Sequence, residues 1–228
     1  MPPTTVEGLL RIELEHVAAY VLDTESGRVL VDTGLPTTQP ALAAALARLG
    51  GPTPELVVLT HAHIDHAGGL RQAMITSNGA PVAAHAADAA LLAAGETTRP
   101  LVAGAHCPDD LRERIKDHPT IAPVEAQIDL VGGQAIPGFP SLKVLHAPGH
   151  SAGLVALLWE HAGGILITGD AAVNFGQVRL PPVAEDYELA TQSLQQLATL
   201  EFEAAVFGHG PPITSGAAAA FREANLQW

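Results

Sequence analysis

Residues 60–69 read Thr-His-Ala-His-Ile-Asp-His-Ala-Gly-Gly, so His61, His63, Asp65 and His66 place four metal-binding side chains within six consecutive positions. Burying so many imidazoles without partners is costly, and a merely solvated loop has no need of them. The chemistry they suit is metal binding. On an extended segment residues two apart face the same way, so His61 and His63 can close on one ion as a pair. On a helix they would point to different sides. Asp65 and His66 lie beyond that pair, where the chain can turn into a helix at Ala67-Gly68-Gly69, and they can reach a second ion beside the first. Imidazole and carboxylate with no thiolate nearby suit zinc, with iron, manganese or nickel as alternatives.

Two ions need further ligands. His150 lies in Ala-Pro-Gly-His-Ser-Ala-Gly, Asp170 in Leu-Ile-Thr-Gly-Asp-Ala, and His209 in Val-Phe-Gly-His-Gly-Pro. Each follows a short apolar segment and is flanked by glycine or proline, which places it on a loop just past a strand. One such histidine is weak evidence, but the recurrence of a single architectural position is much stronger. No rival nucleophile stands out. Cys107 is the only cysteine, and Ser151 lacks a Gly-x-Ser-x-Gly elbow.

The elements that must position these residues read as follows. Residues 9–34 form strands, including a hairpin of Ala18–Leu22 and Val29–Val31 around Glu25-Ser26-Gly27. Strands are also predicted at Leu56–Thr60 and Val82–Ala84. A second series follows at Ala126–Val131, Leu142–His146, Leu154–Trp159 and Ile165–Thr168, with a last strand at Ala204–Phe207. Helices are predicted over Pro40–Leu49, Gly69–Met74, Ala86–Ala94, Asp186–Leu200 and Gly216–Leu226. In the fourth, Tyr187, Ala190, Leu194 and Leu197 share one face, which reads as core packing. Strands then helices, twice over, predict an α/β fold: a four-layer αββα sandwich of two mixed sheets flanked by helices, with the metal loops at one rim. Residues 1–228 read as a single domain. Residues 95–123 fit no clear strand, although 109–117 can form a short helix, and form a possible cap that shapes a substrate pocket, the alternative being a surface excursion or an oligomer contact.

With these residues in this order, the chain resembles the metallo-β-lactamase fold superfamily of hydrolases. His61, His63, Asp65 and His66 match its His-x-His-x-Asp-His signature, and His150, Asp170 and His209 follow in the family's order. Asp32, in Val-Asp-Thr-Gly, matches a further element of the family. The resemblance spans about Tyr20 to His209. It implies that His61, His63 and His150 hold one metal and Asp65, His66 and His209 the other, with Asp170 bridging. Asp32 would lie behind the ligands and orient one of them; the alternative is an aspartate capping the turn before Thr33-Gly34.

Two divalent ions about 3.5–4 Å apart can share a hydroxide and polarise a substrate oxygen, with bound water acidified to a pKa near 7. Such a hydroxide would attack the carbonyl of a small ester, thioester or lactone, with Asp65 or Asp170 passing a proton to the leaving group. Three departures narrow the choice of substrate. A short turn and one helix follow His209, where the glyoxalase II enzymes carry a helical domain. No extra domain of the nucleic-acid-cleaving members is evident. The acyl-homoserine lactonases of this fold have a tyrosine three residues after the bridging aspartate, where this chain has Val173. The β-lactamases proper generally lack the Asp65-type aspartate together with His66, which places the chain nearer the glyoxalase and lactonase branch. The alternatives are an acyl-homoserine lactonase, a persulfide dioxygenase with one iron held by two His and one Asp, and a non-enzymatic metal-binding module. Whether Tyr187 or Arg179 reaches the substrate is open.

A chain of 228 residues that is 47% hydrophobic can bury a substantial core. No run of 18 or more apolar residues appears, and the first residues lack a basic start and an apolar stretch, so neither a membrane span nor a secretory signal is expected. A single cysteine fits a reducing, cytoplasmic setting. A formal charge of −13 argues against a nucleic-acid backbone as substrate. The expected partner is a small molecule, with a homo-oligomer possible.

Overall fold

The computed structural model describes residues 6–226. Their strands form two main sheets. In the first, Leu9–Leu14, Val17–Thr24 and Gly27–Val31 run antiparallel in sequence order. Leu56–Val58, Val82–Ala84 and Ile128–Asp129 then add in parallel. In the second, Ala135–Ile136, Phe139–His146, Val155–Trp159 and Ile165–Ile167 are antiparallel, and Ala204–Val206 joins parallel to Ile165–Ile167.

Alternation along the strands sorts the apolar residues into three cores. Tyr20, Leu22, Val29, Val31, Leu56 and Val58 face Val155, Leu157, Trp159, Ile165 and Ile167 between the sheets. The intervening Val21, Leu30 and Val57 face helices Gln39–Leu49 and Leu70–Thr76 on the outside of the first sheet. Ala156, Leu166 and Ala205 face helices Tyr187–Leu197 and Ala217–Arg222 outside the second. Strands buried on both faces read as continuous apolar runs, and the result is the αββα sandwich.

Several boundaries differ from expectation. Only Ile128–Asp129 of the 126–131 segment is a strand, and it belongs to the first sheet beside Val82–Ala84 rather than opening the second series. Two residues are too few to reveal by periodicity which sheet they join. The helix expected over 186–200 is Tyr187–Leu197, because the Asp186 carboxylate accepts from Leu189 N–H at 3.0 Å and caps it. The last helix is only Ala217–Arg222, since Gly216 stands before it with a left-handed φ of 63°. The 95–123 segment is more ordered than expected. Val102–Ala103 pairs antiparallel with Val183–Ala184, and Asp109–Arg114 is helical, a turn shorter than the 109–117 reading.

Parallel strands send their C-terminal ends to the same side. Gly27–Val31 and Leu56–Val58 lead into Asp32 and His61, and Ile165–Ile167 and Ala204–Val206 lead into Asp170 and His209. The sheets are joined at this rim by Val155 N–H donating to Thr60 O at 2.9 Å and by Ala18 N–H donating to Gly208 O at 2.9 Å. The buried Tyr20 hydroxyl also donates to Phe207 O at 2.7 Å.

Candidate metal centre

The first cluster combines two backbone conformations. His61 and His63 leave the strand extended, with His63 at φ −56° and ψ 148°. The chain then turns into helix Ile64–Ala67, three residues earlier than expected, so Asp65 and His66 already lie on it. His66 and Ala67 N–H groups both donate to His63 O. This change of conformation lets four neighbouring side chains serve two adjoining positions.

The structure brings together all seven residues expected as ligands. Their donor atoms fall into overlapping sets within 4.8 Å: His61, His63 and His150; His61, His66 and Asp170; Asp65, His66 and His209. His63 Nδ1 and His150 Nε2 are 2.8 Å apart. Asp170 lies between the sets, with Oδ1 at 3.3 Å from His66 Nε2 and Oδ2 at 3.4 Å from His150 Nε2 and 3.3 Å from His209 Nε2. Asp65 Oδ2 is 3.3 Å from His209 Nε2. Gly208 makes this approach possible: a Cβ there would lie 2.4 Å from Asp170 Oδ1 and 2.6 Å from His66 Cε1.

The partners of the imidazoles fix which nitrogen faces the centre. A carbonyl can only accept, so His150 Nδ1–H donates to Val183 O and His209 Nδ1–H to His16 O, each at 2.8 Å. His66 Nδ1–H donates to Asp32 at 2.8 Å. Thr60 donates its hydroxyl proton to the same carboxylate at 2.8 Å, which leaves its oxygen to accept from His61 Nδ1 at 3.1 Å. Four histidines thus turn Nε2 inward, and His63 turns Nδ1 toward His150. Among the buried polar atoms without a hydrogen bond are Nε2 of His61 and His66 and Oδ1 of Asp170. Buried, convergent nitrogen and oxygen donors without hydrogen bonds of their own, on histidine rings whose far sides are tied down, are the arrangement that a metal ligand set requires.

Asp32 is buried, sits at a positive φ of 60°, and also accepts from Thr60 N–H at 2.8 Å. Strained backbone of this kind persists where surroundings over-determine it.

The electrostatics divide the cluster. Burial pushes His61 well below the ordinary imidazole range, and burial with the neighbouring His150 pushes His63 down to about 3. Burial also opposes the cations of His66 and His209, but Asp170, with further carboxylates, outweighs it: His66 is raised, and His209 rises to about 10. Burial likewise opposes ionisation of Asp65 and Asp170, yet the adjacent imidazoles hold both below the usual carboxylate range. The Asp65 and His209 side chains are 22% and 16% exposed while His66 is fully buried, so solvent reaches the centre over Asp65 and His209.

A model of the metallo-beta-lactamase superfamily matches residues 12–209. The chain belongs to that superfamily. It is thus a metal-dependent hydrolase in which the signature residues and the His-rich cluster coincide. An N-acyl homoserine lactonase of Bacillus sp is 28% identical over 85% of this chain and 80% of its own length. A probable metallo-hydrolase of Bacillus subtilis (strain 168) is 28% identical over 90% and 84%. An acyl-coenzyme A thioesterase of Gallus gallus is 33% identical over 64% of this chain, which spans about half of that relative, 53%. Among solved structures, the subclass B3 metallo-beta-lactamase BJP-1 of Bradyrhizobium japonicum superposes with a TM-score of 0.69 over 91% of this chain and 76% of its own. At 21% identity that likeness shows the fold alone.

Sequence reasoning missed Asp88, Arg99 and Glu185. Asp88 is buried on helix Ala86–Ala94 and accepts from Ala62 N–H at 3.0 Å, between His61 and His63. Glu185 accepts from Ala152 N–H at 2.9 Å, and Arg99 links the two carboxylates. Of the residues left open, Tyr187 is buried in the outer core with its hydroxyl donating to Pro181 O at 3.1 Å, and burial raises its pKa to about 12. Arg179 pairs through its backbone with Val173 and bridges Asn225. Val173 itself is buried on the short strand Val173–Asn174. Among the described residues, no helix is long and apolar enough to cross a membrane.

Proposed function

We propose that this hydrolase is dinuclear and cleaves the carbonyl bond of a small ester, lactone or thioester. In this reading His61, His63 and His150 hold one ion, Asp65, His66 and His209 hold the other, Asp170 lies between them, and zinc is the expected metal. The observation that carries the proposal is the convergence of seven donors in adjoining sets, with Asp170 the carboxylate that approaches both. When bound, divalent ions supply Lewis acidity toward the carbonyl and lower the pKa of water to about 7.

The chain's own residues do the rest. Asp65 stands at the open side of the centre, where substrate arrives, and its Oδ2 is placed to pass a proton to the leaving oxygen or sulfur. His66 and His209 are locked by Asp32 and by His16 O, so neither ring has to reorganise as charge develops. The 95–123 segment, held to Val183–Ala184 by its short strand, forms a wall of the pocket within a single domain. The net charge and the single, free Cys107 fit a small-molecule substrate in a reducing, cytoplasmic setting.

Lactones head the substrate panel because relatives of comparable length are named N-acyl homoserine lactonases. The test pairs metal analysis with hydrolysis of ester, lactone and thioester substrates. Two zinc ions per chain and turnover on one of these classes support the proposal. One iron per chain with oxygen uptake on a persulfide would replace it with a dioxygenase.

A further inference from the structure

Asp88 receives donors from both loops that carry the three-histidine half of the centre. Its Oδ2 accepts from Ala62 N–H at 3.0 Å, on the loop of His61 and His63. On the loop of His150, its carboxylate accepts from Ser151 Oγ at 2.6 Å and from Gly153 N–H at 3.1 Å. Gly153 is a glycine because this approach leaves no room: a Cβ there would lie 2.5 Å from Asp88 Cγ. Asp88 is 1% exposed, and an isolated carboxylate so buried would be costly. Arg99 offsets that cost by donating to Asp88 at 2.9 Å and to Glu185 at 3.1 Å, and Glu185 in turn holds the His150 loop through Ala152.

We propose that Asp88 is the positioning residue for the His61/His63/His150 half of the metal centre, clamping its two loops together, with Arg99 of the 95–123 segment as its counter-charge. Asp88 touches no ligand ring and acts through Ala62, Ser151 and Gly153 beside the ligands. It thus does for one half what Asp32, bound directly to His66, does for the other. The inference rests on the dinuclear reading above and adds what sets the spacing of one half.

The test is a zinc titration of metal-free protein against a competing chelator in two backgrounds. In His209→Ala, the three-histidine half remains, and adding Asp88→Ala is expected to weaken its zinc affinity about 10- to 100-fold. In His150→Ala, the carboxylate-containing half remains, and adding Asp88→Ala is expected to leave its affinity within about twofold. General destabilisation would move both backgrounds alike. Asp88→Asn keeps the volume but loses acceptor capacity, and serves if Asp88→Ala does not fold; the same asymmetry with a smaller shift is expected. Equal shifts in both backgrounds, or none in either, would overturn the positioning role while leaving a two-zinc wild type intact. A wild type that binds fewer than two zinc ions would overturn the dinuclear reading, and this inference with it.

Discussion

The two halves of the metal centre are built on opposite principles. The half formed by His61, His63 and His150 is buried and consists of imidazoles, of which burial keeps His61 and His63 neutral. The half formed by Asp65, His66 and His209 contains a carboxylate, opens to solvent, and has histidines held in their charged form. The first presents lone pairs directly to an ion. The second must release protons before it can bind one. A buried aspartate stands behind each half, touching a ligand ring in the open half and ligand-bearing backbone in the buried one. In the proposed reading, the first half would hold its ion through neutral imidazoles, while the second would place its carboxylate and histidines toward solvent.

Asp170 is the point at which the comparison can be broken most sharply, because it approaches histidines of both halves. Asp170→Asn should lower kcat by several orders of magnitude and weaken metal uptake in both halves; wild-type kcat would remove its bridging role. Next in size, Asp32→Asn should weaken the carboxylate-containing half about 10- to 100-fold, since His66 loses the partner that fixes its orientation. Chelator competition in the His209-intact and His150-intact backgrounds reads this, and an equal loss in both halves would show that Asp32 serves the rim as a whole.

The comparison also fixes a sign for pH. His66 and His209 are raised above the unfolded imidazole pKa, so their ion pairs stabilise the metal-free fold fully below about pH 6.5. That contribution from His209 is lost as pH rises through about 10. Metal must displace the same protons. Affinity in this half should fall on the order of tenfold per pH unit for each proton displaced as pH is lowered, whereas His61 and His63 release none near neutrality. Calorimetry in two buffers of different ionisation enthalpy counts the protons, and equal release from both halves would contradict the contrast. The smallest effect is expected at Tyr20→Phe. Loss of its hydrogen bond leaves Phe207 O without that donor and should cost about 1–3 kcal/mol of stability, with metal content unchanged in a thermal melt followed by elemental analysis.

The ligands of both halves were legible in sequence, and the halves differ in the aspartate that stands behind them. Asp65 and His66 follow His63 within three positions, and Asp32 follows an apolar strand directly, so each sits where an α/β fold exposes a strand end. Asp88 carries no such mark. It lies inside an alanine-rich helix, and its partners Ala62, Ser151 and Gly153 are 26, 63 and 65 residues away. Arg99 is equally silent, since one arginine in an irregular segment says nothing of what it neutralises until the fold brings Asp88 and Glu185 beside it. The layers of the fold were visible because continuous apolar strands must be covered on both faces. The sheet that Ile128–Asp129 joins was not, because the choice depends on which neighbour is in reach rather than on any pattern within two residues.

Stepwise metal loading, with turnover measured at each step, tests most directly whether the two halves complete each other. Metal-free protein is expected to take up two zinc ions per chain, and hydrolysis of the best ester, lactone or thioester to reach its full rate only with the second. Full turnover at one equivalent, or saturation at a single ion, would contradict it.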